Sequence, residues 1–239
     1  MSDRSPVRGR LYLIPVGLGR ADAASVVPPA TRAAAQRLRS FFAENPKSAR
    51  RFLQAIDHPE PLQRLDIRVL DEHTPDVEPL LAVLLSGVDC GLMSEAGCPA
   101  VADPGATLVR RAHQAGIVVV PLPGSASILL ALMASGLDGQ HFEFHGYLPV
   151  RGGERLTKLK DLEARAQGAT QIFIETPYRN ATLLRALLEN CRADTLLCIA
   201  VDLTLPTEFV ATRSIAEWKR NSPPLDQRPA VFLLYRETR

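Results

Sequence analysis

Between Gly91 and Gly105 the chain reads G-L-M-S-E-A-G-C-P-A-V-A-D-P-G, and no other stretch limits the possible folds as strongly. Three glycines and two prolines share it with only two carboxylates, Glu95 and Asp103. Gly97 and Gly105 permit positive φ and close approach of a ligand, while Pro99 and Pro104 fix φ and remove amide donors. The product is a stiff turn that shows backbone more than side chains. It follows an apolar helical run, Glu78 to Leu85, and the short polar break Ser86 to Asp89, and a short strand, Asp89 to Met93, feeds into it. Open α/β sheets bind ligands at turns of this kind, at the carboxyl ends of buried strands. A small-molecule pocket is therefore expected here, with Ser94 and Glu95 as its polar handles. An ordinary βα connection rich in turn formers would share the composition.

The stretches on either side set the fold class. Leu11 to Val16 is a short apolar run ending in Gly17-Leu18-Gly19, and predicts a buried first strand, with Pro15 marking its end. Thr31 to Arg39 and Lys47 to Ala55 are helical in composition, the second after Pro46. Phe41 to Glu44 predicts a brief strand, and Leu65 to Leu70 alternates as a half-buried strand should. Ala106 to Gln114 predicts a helix with Gly116 near its C-cap, and Ile117 to Leu122 a β-branched strand. Strands alternating with helices imply a parallel sheet with right-handed crossovers. P-L-P-G-S-A-S then interrupts the pattern and suggests a boundary, giving domains 1–122 and 123–239.

In the second half, helices are expected at Ser127 to Ser135, Glu154 to Ala166, Ala181 to Asn190 and near Trp218. Strands are expected at Phe142 to His145, Gln171 to Glu175, Thr195 to Val201, Glu208 to Thr212 and Ala230 to Tyr235. Late strands without full helices between them pair antiparallel, so this sheet is expected to be mixed. The fold class is two-domain α/β, with a parallel-rich N-terminal sheet and a mixed C-terminal one.

Several functions find no support. The 239 residues carry a net charge of only +2, too little to argue for nucleic acid by itself. Lys47, Arg50 and Arg51 share a helix face, as do Arg151, Arg155 and Lys158, but a solvated face explains either cluster. No apolar run is long enough to span a bilayer, and M-S-D-R-S-P-V-R-G-R lacks the apolar core of a signal peptide, so a cytoplasmic protein without membrane partners is expected. Cys90, Cys98, Cys191 and Cys198 form no C-x-x-C pair and suggest buried thiols. His141 and His145 lie four apart on a predicted strand, too far to share a metal, and no metal is expected. G-L-G-R-A-D lacks the third glycine of the dinucleotide fingerprint. Ser94 lacks the flanking glycines of a nucleophile elbow.

What remains is a set of strand-end loops poor in charge: Pro15 to Gly19, Ser94 to Pro99, Gly124 to Ser127 and Glu175 to Pro177. Such loops suit a neutral or zwitterionic, partly aromatic ligand held by main-chain groups. A methyl donor is one. Transfer from a sulfonium needs in-line placement and a dry pocket more than acid/base groups.

L-M-S-E-A-G-C-P-A-V-A-D-P-G resembles the S-D-A-G-T-P-x-x-x-D-P-G signature of the class III, or tetrapyrrole-methylase-like, S-adenosylmethionine-dependent methyltransferases, and most closely their ribosomal RNA ribose methyltransferase branch. Four other blocks resemble that branch in order: A-E-N-P-K-S-A-R-R-F-L its A-E-D-T-R-x-x-R-K-L-L, V-V-P-L-P-G-S-A-S its V-V-P-I-P-G-P-S-A, H-G-Y-L-P its G-F-L-P, and E-T-P-Y-R its E-S-P-H-R. The resemblance implies two α/β domains with S-adenosylmethionine held in the cleft between them, in a homodimer. It implies donor contacts at Pro15, Met93, Ser94, Glu95, Cys98, Ala126 and Ser127, with Ile174 and Leu203 from the second domain.

Asn45 and Pro46 replace the branch's Asp-Thr, Lys47 its Arg, and Glu95 the Asp of its signature. The chain stops at Arg239, without the C-terminal segment those enzymes carry. Methylating a ribose hydroxyl needs a base or charge partner, and Glu44, Arg50 and Glu175 are the candidates. The expected function is a donor-dependent methyltransferase acting on RNA through ribose or base. A small-molecule methylase of the tetrapyrrole type and a non-catalytic donor-binding module are the alternatives.

Overall fold

The computed structural model describes residues 7–19, 23–70, 73, 76–225 and 227–237. Most of the amino-terminal stretch read for a leader, and the R-A-D of G-L-G-R-A-D, lie outside them. The chain divides into two compact units, residues 1–126 and 127–239.

The first unit contains β1 (Leu11–Leu13), α1 (Ala23–Val26), α2 (Pro29–Arg37), β2 (Ser40–Ala43), α3 (Pro46–Ala55), β3 (Asp66–Val69), α4 (Glu78–Leu85), β4 (Cys90–Met93), α5 (Ala106–Gln114) and β5 (Val119–Pro121). Its sheet runs β3-β2-β4-β1-β5 with every pairing parallel. Consecutive phenylalanines show how the sheet is covered on both faces. Phe41 packs with Ile14, Leu53 and Ile56 on one side, and Phe42 packs with Leu11, Leu84 and Leu108 on the other. That opposition follows from the two-residue period of a strand. Burial on both faces explains why β2 and β4 read as apolar runs rather than alternating ones.

Some expectations shift. β1 ends at Leu13, and although the Ile14 amide still reaches the Leu92 carbonyl at 2.9 Å, Pro15 has no N–H to continue the ladder. The β-branched run at Ile117 shortens to β5, an edge strand that tolerates Pro121. β3 is the opposite edge and leaves Asp66, Arg68 and Val69 exposed, so its inward contacts come from Ile67, with Leu65 and Leu70 beyond its ends. The four-residue α1 was not anticipated.

The second unit contains α6 (Ser127–Ser135), β6 (Phe142–Tyr147), α7 (Gly152–Arg165), β7 (Thr170–Ile174), α8 (Asn180–Asn190), β8 (Leu196–Val201), β9 (Phe209–Ser214), α9 (Ile215–Arg220) and β10 (Ala230–Tyr235). Its sheet runs β6-β7-β10-β8-β9 and is mixed: β6 and β7 are parallel, and the other neighbours antiparallel. Leu159, Leu162, Leu183, Leu187, Phe173 and Phe232 share its core with Trp218, whose indole N–H donates to the Leu197 carbonyl at 2.8 Å. Arg151 lies before α7 and pairs with Glu154, so it does not continue the face of Arg155 and Lys158.

The division after Ala126 falls within the P-L-P-G-S-A-S segment. Pro123 and Ser125 are bonded back into the first unit: Thr31 Oγ1 donates to the Pro123 carbonyl at 2.6 Å, and Ser125 Oγ to the Val26 carbonyl at 3.4 Å. Among the described residues no helix is long and apolar enough to cross a membrane.

Candidate functional site

Three turns meet at the carboxyl end of the first sheet. The Val16 amide donates to the Gly97 carbonyl at 2.9 Å, joining the turn after β1 to the turn after β4. Cys98 Sγ lies 3.5 Å from the Ser125 carbonyl, which brings in the turn after β5. Gly124 lies so close to Pro15 that a Cβ on it would stand 2.5 Å from the proline Cβ. A side chain at position 124 would force these turns apart, which is why the residue there is glycine.

The turn after β4 holds its shape at some cost. Gly97 and Gly105 have φ of 68° and 129°, as their residue type allows, but Ala100 and Ala102 are also left-handed, at 65° and 61°. Alanines in this region carry strain of about 1–2 kcal/mol each, and such strain gathers at ligand sites. Met93 and Ser94 are buried beneath the turn. Ser94 Oγ donates to the Ala96 carbonyl at 3.3 Å. Burial holds the Asp103 carboxyl above the usual carboxylate range, against the lowering influence of the Ser94 hydroxyl, with the charge of Glu95 adding to the shift. Burial likewise raises the Cys98 thiol.

Glu95 does not stand free as a handle. Its Oε1 accepts from Asn45 Nδ2 at 2.9 Å and from Ser48 Oγ at 3.2 Å, while its backbone N–H reaches Glu44 Oε2 at 3.4 Å. Asn45 is also the N-cap of α3, its Oδ1 accepting from the Lys47 amide. The turns after β2 and β4 are thereby tied, which brings Glu44 beside Glu95. Arg50 lies further along α3, exposed with Lys47 and Arg51. The Asn-Pro pair announces a helix start, but nothing local in it announces Glu95 as a partner.

In the second unit, the expected contacts Ile174 and Leu203 stand at the carboxyl ends of β7 and β8. Leu203 is buried between two left-handed residues, Asp202 (φ 51°) and Thr204 (φ 69°). The Asp202 carboxylate accepts from Arg228 Nε and from Thr207 Oγ1, each at 2.8 Å, and Arg228 Nη2 donates to the Thr207 carbonyl at 2.6 Å. This ion pair, which sequence reasoning missed, fixes the Leu203 turn.

Glu175 is buried just past β7. Its Oε1 accepts from the Thr176 amide at 2.7 Å and from Arg179 Nε and Nη2 at 2.9 and 2.6 Å. Its Oε2 is buried without a hydrogen-bond partner among the described residues. Buried carboxylate oxygens rarely go unbonded, which sets this one apart as an unsatisfied group beneath the surface. Ala126 ends the first unit and Ser127 opens α6 in the second. Among the described residues no group of three or more His, Cys, Asp or Glu could hold a metal ion; His145 instead bonds Gln171 Oε1 at 2.7 Å.

The family model for Tetrapyrrole (Corrin/Porphyrin) Methylases matches residues 10–218. The ribosomal RNA small subunit methyltransferase I of Mesorhizobium japonicum is 43% identical over 136 residues, 57% of this chain and 46% of that protein. The protein of the same name from Vibrio cholerae is 39% identical over 138 residues, 58% of this chain and 47% of its own length. The chain thus spans about half the length of these relatives. The Pseudomonas aeruginosa protein of that name is 30% identical over 211 residues, 87% of this chain and 71% of its own. A solved structure titled as that of the methyltransferase CobJ superposes with a TM-score of 0.62 over 95% of this chain and 99% of its own, at 21% identity, a likeness of fold.

Proposed function

This chain belongs to the Tetrapyrrole (Corrin/Porphyrin) Methylases family, and from that premise we propose that it transfers a methyl group from S-adenosylmethionine to RNA. One observation carries the donor half: the turns after β1, β4 and β5 form a single stiff, backbone-lined surface at the carboxyl end of a parallel sheet. Its fit to a zwitterionic nucleoside rests on the close Pro15–Gly124 approach and on the low density of charge.

S-adenosylmethionine supplies a sulfonium-bound methyl group, already activated for transfer. In the first unit Pro15, Met93, Ser94, Cys98 and Ala126 would hold it through main-chain and small side-chain contacts; in the second, the resemblance of the signature blocks implies Ser127, Ile174 and Leu203 as contacts. Glu95 would act chiefly by fixing the turn, since Asn45 and Ser48 occupy its Oε1. Preorganisation of this kind removes orientational freedom before reaction.

For the acceptor, Glu175 suits a base best among the three candidates. Arg179 holds its Oε1, and its Oε2 has no hydrogen-bond partner among the described residues; that oxygen lies beneath the surface and must be uncovered before it can take a proton from a hydroxyl. Glu44 is engaged with the Glu95 amide, and Arg50 is an exposed cation suited to a phosphate. The RNA assignment is supported by the names of the curated relatives, and the tetrapyrrole alternative by the family description. We extend the proposal to a homodimer, in keeping with the resemblance of the signature blocks, and to action in the cytoplasm.

The test is transfer of label from methyl-labelled S-adenosylmethionine to unmodified small-subunit ribosomal RNA, with a tetrapyrrole mixture as the second acceptor. Label in RNA, lost in Glu175→Gln, is the expected result. Label in the tetrapyrrole alone overturns the acceptor, and donor binding without transfer to either leaves a binding module.

A further inference from the structure

Two large aromatic side chains stand in solvent beside Glu175. Tyr178 is 70% exposed and Tyr147 54% exposed. Tyr147 ends β6 opposite Ile174 of β7, so both tyrosines lie at the carboxyl end of the parallel β6–β7 pair. The placement of Tyr147 is built rather than incidental. The register of β6 slips between Phe144 and Tyr147, and Gly146 takes a φ of 63° there. Bulges re-aim the side chain that follows and gather near functional sites.

Arg179 links the group. Its guanidinium lies 5.1 Å from the Tyr178 ring centroid, and its Nε and Nη2 donate to Glu175 Oε1. Arg179 thus ties the buried Glu175 carboxylate to the exposed Tyr178 ring. Flat aromatic faces with a guanidinium plane are what an unpaired nucleobase stacks upon, and such stacking tolerates any base because each has a π-face.

We propose that Tyr147 and Tyr178, braced by Arg179, form a stacking platform for an unpaired base of the RNA acceptor, next to the carboxylate of Glu175. This inference rests on the RNA reading and names the surface that would receive the acceptor. The platform contributes affinity without charge, and the assay can isolate that property. Counterion release makes phosphate contacts salt-dependent, whereas stacking leaves the salt slope alone.

Fluorescence anisotropy with a labelled, mixed-sequence single-stranded RNA compares the wild type with Tyr178→Ala, Tyr147→Ala, Tyr178→Phe and Tyr147→Phe. Each alanine is expected to weaken binding about tenfold, with the slope of log Kd against log salt unchanged, while the phenylalanines keep wild-type affinity. Calorimetry with S-adenosylmethionine on the same proteins should show the donor bound as before. Loss of donor binding in the wild type would sink the transfer reading yet leave this platform testable through RNA. RNA affinity unchanged in both alanine variants overturns the proposal. So does a drop in molar mass of the Tyr178→Ala protein by light scattering, which would assign the patch to a second copy. A porphyrin absorbance shift in place of RNA binding, abolished by the alanines, overturns it in favour of a macrocycle.

Discussion

The side-chain amide of Asn45 donates to Glu95 Oε1 at 2.9 Å, so the residue that caps α3 also holds the turn after β4. Asn45→Asp keeps an acceptor for the Lys47 amide, since Asp caps as well as Asn. It removes the donor, however, and sets a second carboxylate against Glu95. At this exposed site the combined cost should be about 1 kcal/mol. Urea denaturation should show that loss, and calorimetry a weaker donor. Adding Glu95→Gln should return most of both, because the new amide can donate to Asp. Wild-type stability and donor affinity in the single variant would show the tie to be idle.

Asp103 offers a pH test. Its folded carboxyl titrates above its unfolded value near 3.9, chiefly because burial disfavours the charge. In the window between those two values the folded protein binds more protons than the unfolded one, so this group's contribution falls as pH rises through it. The penalty is then complete at neutral pH. Asp103→Asn should therefore be more stable than the wild type at pH 7, and the two should converge as pH falls towards 4. Parallel urea midpoints across that range would contradict the assignment.

Thr204 combines two unfavourable features, a φ of 69° on a β-branched residue and a buried hydroxyl without a partner among the described residues. Thr204→Gly removes both and should raise stability by about 1 kcal/mol, the left-handed penalty offset in part by glycine's chain entropy. If the strained turn exists to present Leu203, held there by Asp202 and Arg228, donor affinity should fall as stability rises. A variant that gains stability at no cost to donor binding would mark the strain as unrelated to the ligand.

Local signals located much of this molecule. Glu78–Leu85 and Ala106–Gln114 coincide with α4 and α5 because periodicity, a proline near the start of one and Gly116 after the other all act within a turn or two. The apolar runs of β2 and β4 were likewise plain. Long-range ties were not: Asn45 and Glu95 are 50 residues apart, and Asp202 and Arg228 are 26 apart. No propensity links such pairs before the sheet aligns the strands that carry them. The left-handed Ala100 and Ala102 were equally invisible, since alanine carries no signature of that conformation. Tyr147 was hidden because a bulge, rather than the simple alternation of β6, decides where its side chain is aimed.

Cys98 can report on the candidate site directly. Burial pushes the thiol of Cys191 up to about 12 and those of Cys90 and Cys198 up to about 11. All three are buried, while Cys98 is only half-buried, with its own thiol also raised by burial. The thiolate is the reactive form, so access and ionisation both favour Cys98. Iodoacetamide at pH 8, followed by peptide mass spectrometry, should label Cys98 first, with the rate rising about tenfold per pH unit while the pH stays below the thiol's pKa. Because Cys98 Sγ lies against the Ser125 carbonyl where two of the site's turns meet, a ligand seated there would cover it. Saturating S-adenosylmethionine should slow the labelling of Cys98 and leave the other three unchanged. If Cys98 is alkylated equally fast with and without the donor, the donor sits elsewhere, whatever the turns look like.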